Sequence, residues 1–509
     1  MILMLRTNPR RNRCFALRAA VLALGLCAAG LRAQDVRPIA FTNARILTIS
    51  GAPIERGTLV VRNGKIVAVG ADVAAPAGAR IVDCEGGTLM PGLVSAHSRA
   101  GLVSPPPTFS VEAGPRRGGR RGQGTPPPDS GARGVQNSAA TKVAERLDPK
   151  QEVFGELLRA GITTLALTPP GDGFPGFGAV LKPDGTTLEA LVVDDDAFVF
   201  LGMQRDARVK KALKDGFEAA NKAVAARKAP KEAPKPEAKA ADGSKPGGEA
   251  KPAEAPKPSD PQPPPEPPKP EPPKPDQPKP EQPKPEQPKP QEPPKADDKK
   301  PEGAPTADKA QGPKPEDKKD PNIEVLADLI EGKHKAIVQL NSAADLLHWL
   351  HAGGKDLTFS RTICTESFDT QAGAFDLVID ELKAMKAAVL VPPDLSVRPR
   401  SRYVVNPVRS LHDAGIEVGF VLGDSPARVR TLFFRLMEQV RAGLPRDVAL
   451  RGVTLVPSKA LGLESQCGTL EAGKKANLLL FSSDPLDPTS ELRSVWLEGR
   501  KIESDTQAR

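Results

Sequence analysis

The sequence predicts an α/β protein: a parallel sheet covered by helices and approaching a closed barrel in strand count, with a small all-β unit built from the two chain ends. Three observations predict it. Apolar strand-like runs alternate with amphipathic helical stretches through the middle of the 509 residues, the pattern of strands buried on both faces. Short β-rich runs with turn punctuation lie at both ends, and neither set is large enough to stand alone as a sheet. A proline-rich stretch in between has too few large apolar residues to join any core.

Taken in order, the chain opens with Arg6, Arg10, Arg11, Arg13 and Arg18 ahead of the apolar run AAVLALGLCAAG and the small residue Ala33. A basic n-region, a short h-region and a small-residue site make residues 1–33 an expected signal peptide. The apolar run is short for a stable membrane anchor, and Leu26 stands where lipoprotein processing before Cys27 would want a small residue. The expected product is exported, periplasmic or extracellular. Residues 1–33 hold six arginines and no acids, so their removal lowers the formal charge of +9 by six, to +3. That gives no reason to propose a nucleic-acid partner.

Residues 36–88 read as strands broken by SGAP, ERG and RNGK, with Asn63-Gly64 suited to a type I′ hairpin turn. Residues 464–505 answer in kind, and the two segments are expected to pair in one sheet. From 88 to 102 the text TLMPGLVSAHSRAGL is an apolar strand ending on His97, with Arg99 two positions on. The loop after it carries Arg116, Arg117, Arg120 and Arg121 among glycines and prolines, a basic lip suited to an anionic polymer or a phosphate.

Further strands read at 161–169, 197–202, 335–341, 356–362, 387–393 and 417–425, with helices such as AADLLHWLHAG between them. The barrel-like region is thus 89–227 and 322–463. Residues 228–321, with the repeat PKPEQPKPEQPKP, are expected to form a solvated, removable insertion, since a long loop adds little further closure entropy. Outside the leader only Cys84, Cys364 and Cys467 remain, with no CxxC spacing, so neither a disulfide framework nor a thiolate zinc site is expected.

The run RNGKIVAVGADVAAPAGARIVDCEGGTLMPGLVSAHSRAG, with SKALGLESQCGTLEAGKKANLLLFSSDPLDPTSELRSVWLEGRKI near the end, resembles the amidohydrolase superfamily, near its exported imidazolonepropionase-like branch. The resemblance implies a (β/α)8 TIM barrel carrying a composite β-sandwich made by the N- and C-terminal segments. It also implies a hydrolase of C–N bonds, whose zinc or similar metal supplies hydroxide while an aspartate shuttles protons. The metal would sit at the C-terminal mouth of the barrel.

On that comparison His97 stands where a His-x-His pair is expected, and Arg99 replaces its second member. Gln339 and Asn341 hold the mid-chain histidine positions, Arg361 or Thr362 the next one, and Asp424 keeps the carboxylate of the last strand. His334, His348, His351 and His412 fall before a strand or in helices, where they are expected to face away from the mouth. Lys182, which could be carbamylated as a ligand, reads as a turn residue. With His97 and Asp424 alone a catalytic zinc site is short of its usual three protein ligands, and a guanidinium cannot ligate.

Two readings follow. In one, an exported member has lost metal-dependent hydrolysis, needs no cofactor, and binds a small molecule or anionic partner at the old pocket. In the other, it is an active hydrolase of cyclic amides or related bonds with a rearranged site. A homo-oligomer is compatible with either. The first and last barrel strands are neighbours, so the Arg99 guanidinium is expected to reach Asp424 and pair with it in the metal's place.

Overall fold

The computed structural model describes residues 37–103, 135, 137–228, 319–354, 357–366, 375–397 and 400–503. The expected leader, the basic Arg116–Arg121 loop and nearly all of the insertion lie outside these residues. Two eight-stranded sheets organise the described chain.

The end sheet contains β1 (Ile39–Ile46), β2 (Ile54–Arg62), β3 (Lys65–Gly70), β4 (Arg80–Asp83) and β5 (Thr88–Pro91). Its order from the far edge runs through C-terminal strands first, with β5 next to them, then β1, β2 and β3. Leu479 pairs with Met90 in an antiparallel ladder, and both side chains are fully buried. Phe41 meets Trp496 edge-on at 4.8 Å, in a core with Leu59, Ile66 and Leu478. Thus strands from the two chain ends share one sheet, which extends on the N-terminal side to Pro91 rather than stopping at 88.

The second sheet begins with β6 (Leu93–Ser98) and continues through β7 (Ile162–Leu167), β8 (Gly173–Leu181), β9 (Val192–Met203), β10 (Ala336–Leu340), β11 (Arg361–Cys364) and β12 (Ala388–Val391). A two-stranded antiparallel pair, β13 (Ser396–Val397) and β14 (Val404–Val405), precedes β15 (Val418–Phe420), the last strand of this sheet. The remaining strands, β16 (Leu478–Phe481), β17 (Leu492–Leu497) and β18 (Arg500–Lys501), complete the end sheet.

The second sheet is barrel-like and almost closed. β15 and β6 do not pair, but Phe420 N donates to Gly452 O at 2.8 Å and Val94 N donates to Val453 O at 3.0 Å. Gly452 and Val453, in the three-residue link between helices Arg446–Arg451 and Leu455–Ala460, therefore bridge the gap. Every residue of β6, β7 and β10 is buried, as expected of strands covered on both faces. Inside, Val94, Ala166, Phe198, Phe200, Ile337 and Leu390 form the filling.

The sheet departs from an all-parallel expectation in one place. β8 runs antiparallel to both β7 and β9, and this strand was not read from the sequence. Its text GFPGFGAVL is rich in glycine and proline, which weaken a strand signal. β11 corrects another reading: residues 357–360 are a loop, and the strand begins at Arg361.

Gly92 carries the chain from the end sheet into the barrel. Its N–H donates to Asn477 O at 2.9 Å, and a Cβ there would lie 2.2 Å from Thr163 Oγ1 and 2.8 Å from Thr163 Cβ. Only glycine allows this approach, which accounts for the Pro91-Gly92 step.

The helix Ala207–Lys228 ends where the insertion begins, so Lys228 is helical, and the helix Pro321–Ile330 starts where the insertion ends. Arg227 ties the two together through Asp328 at 2.8 Å, Glu331 at 2.9 Å and a shorter contact with Glu324. The hydrogen bond from Arg227 holds the Glu324 carboxyl below its usual range. Asp328 is also lowered: burial pushes it up, but its bonds to Lys333 and Arg227 outweigh that.

Replacing Arg227 with alanine is expected to lower the thermal midpoint by about 2–4 °C at neutral pH. Carboxylates with depressed folded pKa values contribute stability that is present above their unfolded pKa and is lost as pH falls through the folded value. The difference between wild type and variant should therefore shrink in acid; calorimetry that finds it constant from pH 7 to pH 3 would refute the assignment.

Candidate functional site at the barrel mouth

The mouth is the end of the barrel where β6, β10, β11 and β15 deliver their last residues. In β6 the regular alternation places Val94 and Ala96 inside, which would turn His97 outward. A bulge prevents this: Ser95 pairs with Leu165, but Ser98 pairs with Leu167, so β6 carries one extra residue. Bulges re-aim side chains beside functional sites. The His97 ring lies 6.0 Å from Phe200 and is only 4% exposed.

Four side chains meet here. His97 Nε2 lies 3.2 Å from Glu366 Oε1, close enough to pair, although the angle falls short of a hydrogen bond. Arg99 Nη2 lies 2.9 Å from the same oxygen and donates to Gln339 Oε1 at 3.2 Å. The interaction with His97, assisted by the Arg99 charge and Gln339, holds the Glu366 carboxyl below its ordinary range despite burial. Cys364 lies fully buried nearby, and burial together with the Glu366 charge pushes its thiol far up, so it is not a thiolate nucleophile.

The expected pairing of the Arg99 guanidinium with Asp424 is corrected: its Nη2 lies on Glu366 and Gln339. The backbone N–H of Arg99, not its guanidinium, donates to Asp424 Oδ2 at 3.0 Å. The guanidinium turns across the mouth to Glu366 because that carboxylate already faces His97. Asp172, on the loop after β7, feels the Arg99 charge as well, yet burial raises its pKa.

The remaining residues singled out from the sequence fall as follows. Asn341 follows β10 directly, and its Oδ1 is buried without a hydrogen-bond partner among the described residues. Arg361 is a correction. It pairs in register with Ala336 at the start of β10, so it lies at the base of the barrel, where it donates to Leu357 O at 2.8 Å. The residue that its strand brings to the mouth is Glu366, which sequence reasoning missed by ending the strand four residues early. The text TIC followed by Thr-Glu, an apolar run ending in a carboxylate, is the signal that could have found it. Lys182 also lies away from the mouth, pairing with Glu498 at 3.2 Å. His334 packs on Phe177 at 5.2 Å, and His348 and His412 lie on helices outside the sheet.

A catalytic divalent cation usually takes three protein ligands. His97 and Glu366 supply two, but Asp424 does not come within ligand range of both: among the described residues the only trio of potential ligand atoms so clustered is Asp194, Asp195 and Asp196. The oxygen that would face the ion already carries a guanidinium at contact distance. The residues present do not fit such an ion. What they offer instead is a fixed cation, a carboxylate and amides for a polar ligand.

Comparison with known proteins gives a consistent picture. Residues 346–502 match the Amidohydrolase family. The chain is 38% identical over 103 residues to an N-substituted formamide deformylase of Arthrobacter pascens, which covers 18% of this chain and 19% of that protein. It is 33% identical over 127 residues to an imidazolonepropionase of Acinetobacter baumannii, covering 24% of this chain and 30% of that protein. The chain thus spans less than a third of the length of these curated relatives. Among solved structures, an amidohydrolase from Thermotoga maritima MSB8 superposes with a TM-score of 0.59 at 19% identity, over 91% of this chain and 99% of that one; this likeness concerns the fold.

Proposed function

Because this chain belongs to the amidohydrolase superfamily, we propose that it is an exported member in which hydrolysis by a bound metal has been replaced by polar ligand binding at the barrel mouth. The fold on this reading is a (β/α)8 TIM barrel with a composite β-sandwich, modified by the reversed strand β8. One observation carries the proposal: the Arg99 guanidinium, 2.9 Å from Glu366, stands where a cation would need the same oxygen. The pair satisfies the charge of Glu366 without a metal.

Two buried polar atoms support the binding role. Arg99 Nε and Asn341 Oδ1 have no hydrogen-bond partner among the described residues, and buried polar atoms are rarely left so. One is a donor and the other an acceptor. A small molecule with an amide group, or with a carboxylate beside an N–H or O–H, matches both, since a carboxylate alone only accepts, and an anionic ligand is favoured by Arg99.

Metal analysis of the purified, processed protein tests this reading. We expect well below one zinc per chain, and no hydrolysis of cyclic amides or N-acyl compounds on adding zinc. One tightly held metal per chain, with turnover lost on chelation, would establish the alternative of an active hydrolase of non-peptide C–N bonds. Export is tested separately, by the mass of the N-terminus after expression in a host with a secretion system. Cleavage near Ala33 is expected.

A further inference from the structure

At the opposite end of the barrel, against the end sheet, lies a groove of about 750 Å³. It is lined by Lys65, Arg80, Lys182, Lys475, Arg500 and Lys501 among others, but by only two acids, Asp184 and Glu498. Both acids are already engaged. Glu498 takes Lys182 at 3.2 Å and Lys475 at 3.7 Å, and Asp184 takes Arg500. Lys65, Arg80 and Lys501 are left with no carboxylate in ion-pair range among the described residues. Arg80 instead lies over the Trp496 ring at 5.3 Å.

The local backbone concentrates this charge. Asn63-Gly64 and Glu498-Gly499 are two hairpin turns, each with positive φ at both residues, and they pack against one another. A Cβ on Gly64 would lie 3.2 Å from Glu498 O. This contact sets Lys65 directly opposite Lys475 across an isolated backbone bridge, and like charges so placed cost stability. The three cations without carboxylate partners come from three strands: Lys65 opens β3, Arg80 opens β4 and Lys501 ends β18.

We propose that this groove is a binding surface for a ligand that carries two or more phosphate groups. A single small anion would reach only part of an array spread over three strands. A polyphosphorylated ligand can engage Lys65, Arg80 and Lys501 together, and it supplies Lys65 with the negative charge that Glu498 gives only to Lys182 and Lys475. Arginine and lysine are both suited to phosphate oxygens, and a concave basic surface focuses field on an approaching anion. The proposal is independent of the barrel-mouth reading, since the two sites occupy opposite ends of the barrel.

Titration calorimetry of the full chain with tripolyphosphate, and cosedimentation with vesicles of the two-phosphate lipid cardiolipin against phosphatidylcholine controls, test it. The triple variant Lys65→Gln, Arg80→Gln, Lys501→Gln is expected to bind about tenfold or more weakly. Lys65→Arg should retain binding, as should the loop variant Arg116→Gln, Arg117→Gln. Wild-type affinity should fall as salt is raised, and an unchanged thermal midpoint shows that the triple variant folds. Binding to tripolyphosphate alone assigns the groove to soluble phosphates, and binding to anionic vesicles assigns it to headgroups. Binding to neither, or binding that the triple variant keeps in full, overturns the proposal.

Discussion

Glu366→Leu is expected to destabilise the folded chain by about 1–3 kcal/mol at neutral pH, because it removes the carboxylate that the Arg99 guanidinium and the His97 ring share. Removing one partner of a fully buried pair costs roughly 3–5 kcal/mol. Both side chains are 34% exposed, so water screens part of the loss and the lower range applies. The sign of the pH dependence follows from the lowered pKa of Glu366. Its contribution is fully present above the unfolded carboxylate pKa of about 4.3 and disappears as pH falls through the lower folded value. Denaturant melts at pH 7 and pH 3 should show the gap between wild type and variant closing in acid. The double variant Arg99→Met, Glu366→Leu should recover much of the loss, since removing both partners of a pair is far less costly than removing one. A gap that is the same at both pH values would mean that Glu366 acts by packing and not by charge.

Phe200→Ala should cost more, about 3–5 kcal/mol, from lost burial and the cavity left behind. Phe200 is completely buried, fills the barrel interior with Phe198 and Ile337, and supports the His97 ring from below. Phe200→Leu should cost much less because it preserves most of the volume. Chemical denaturation measures both, and a loss under about 1 kcal/mol for the alanine variant would show that the barrel interior collapses easily around that position.

The sequence displayed the strands better than their geometry. Continuous apolar runs such as ITTLAL and AIVQL identify buried parallel strands because the signal is local. The turn at Asn63-Gly64 is equally local, and both residues have positive φ, 50° and 73°. β8 escaped notice because its glycines and proline imitate a loop. Arg361 was misplaced because Leu357 and Phe359 look like strand residues. In fact they are buried in the preceding loop, with Phe359 near Phe217 at 6.4 Å. His97 and Asp424 could be found from the family resemblance, which implies a histidine at the end of the first strand and a carboxylate after the last. Glu366 and the turn of Arg99 toward it could not, because they depend on which carboxylate three-dimensional closure brings nearest. The bulge at Ser95–Ser98 decides where His97 points and leaves no mark in the residue types.

The shared end sheet imposes a schedule on synthesis. Arg45 bonds Asp484, 439 positions later, and β5, already beside β1, finds its second neighbour only when β16 has been made. At about 5–20 residues per second, the N-terminal strands wait roughly 20–90 s with an open edge. Such an edge is a template for pairing with other chains, so nascent chains should depend on a holding chaperone, and a ribosome stalled before β16 should release aggregating protein.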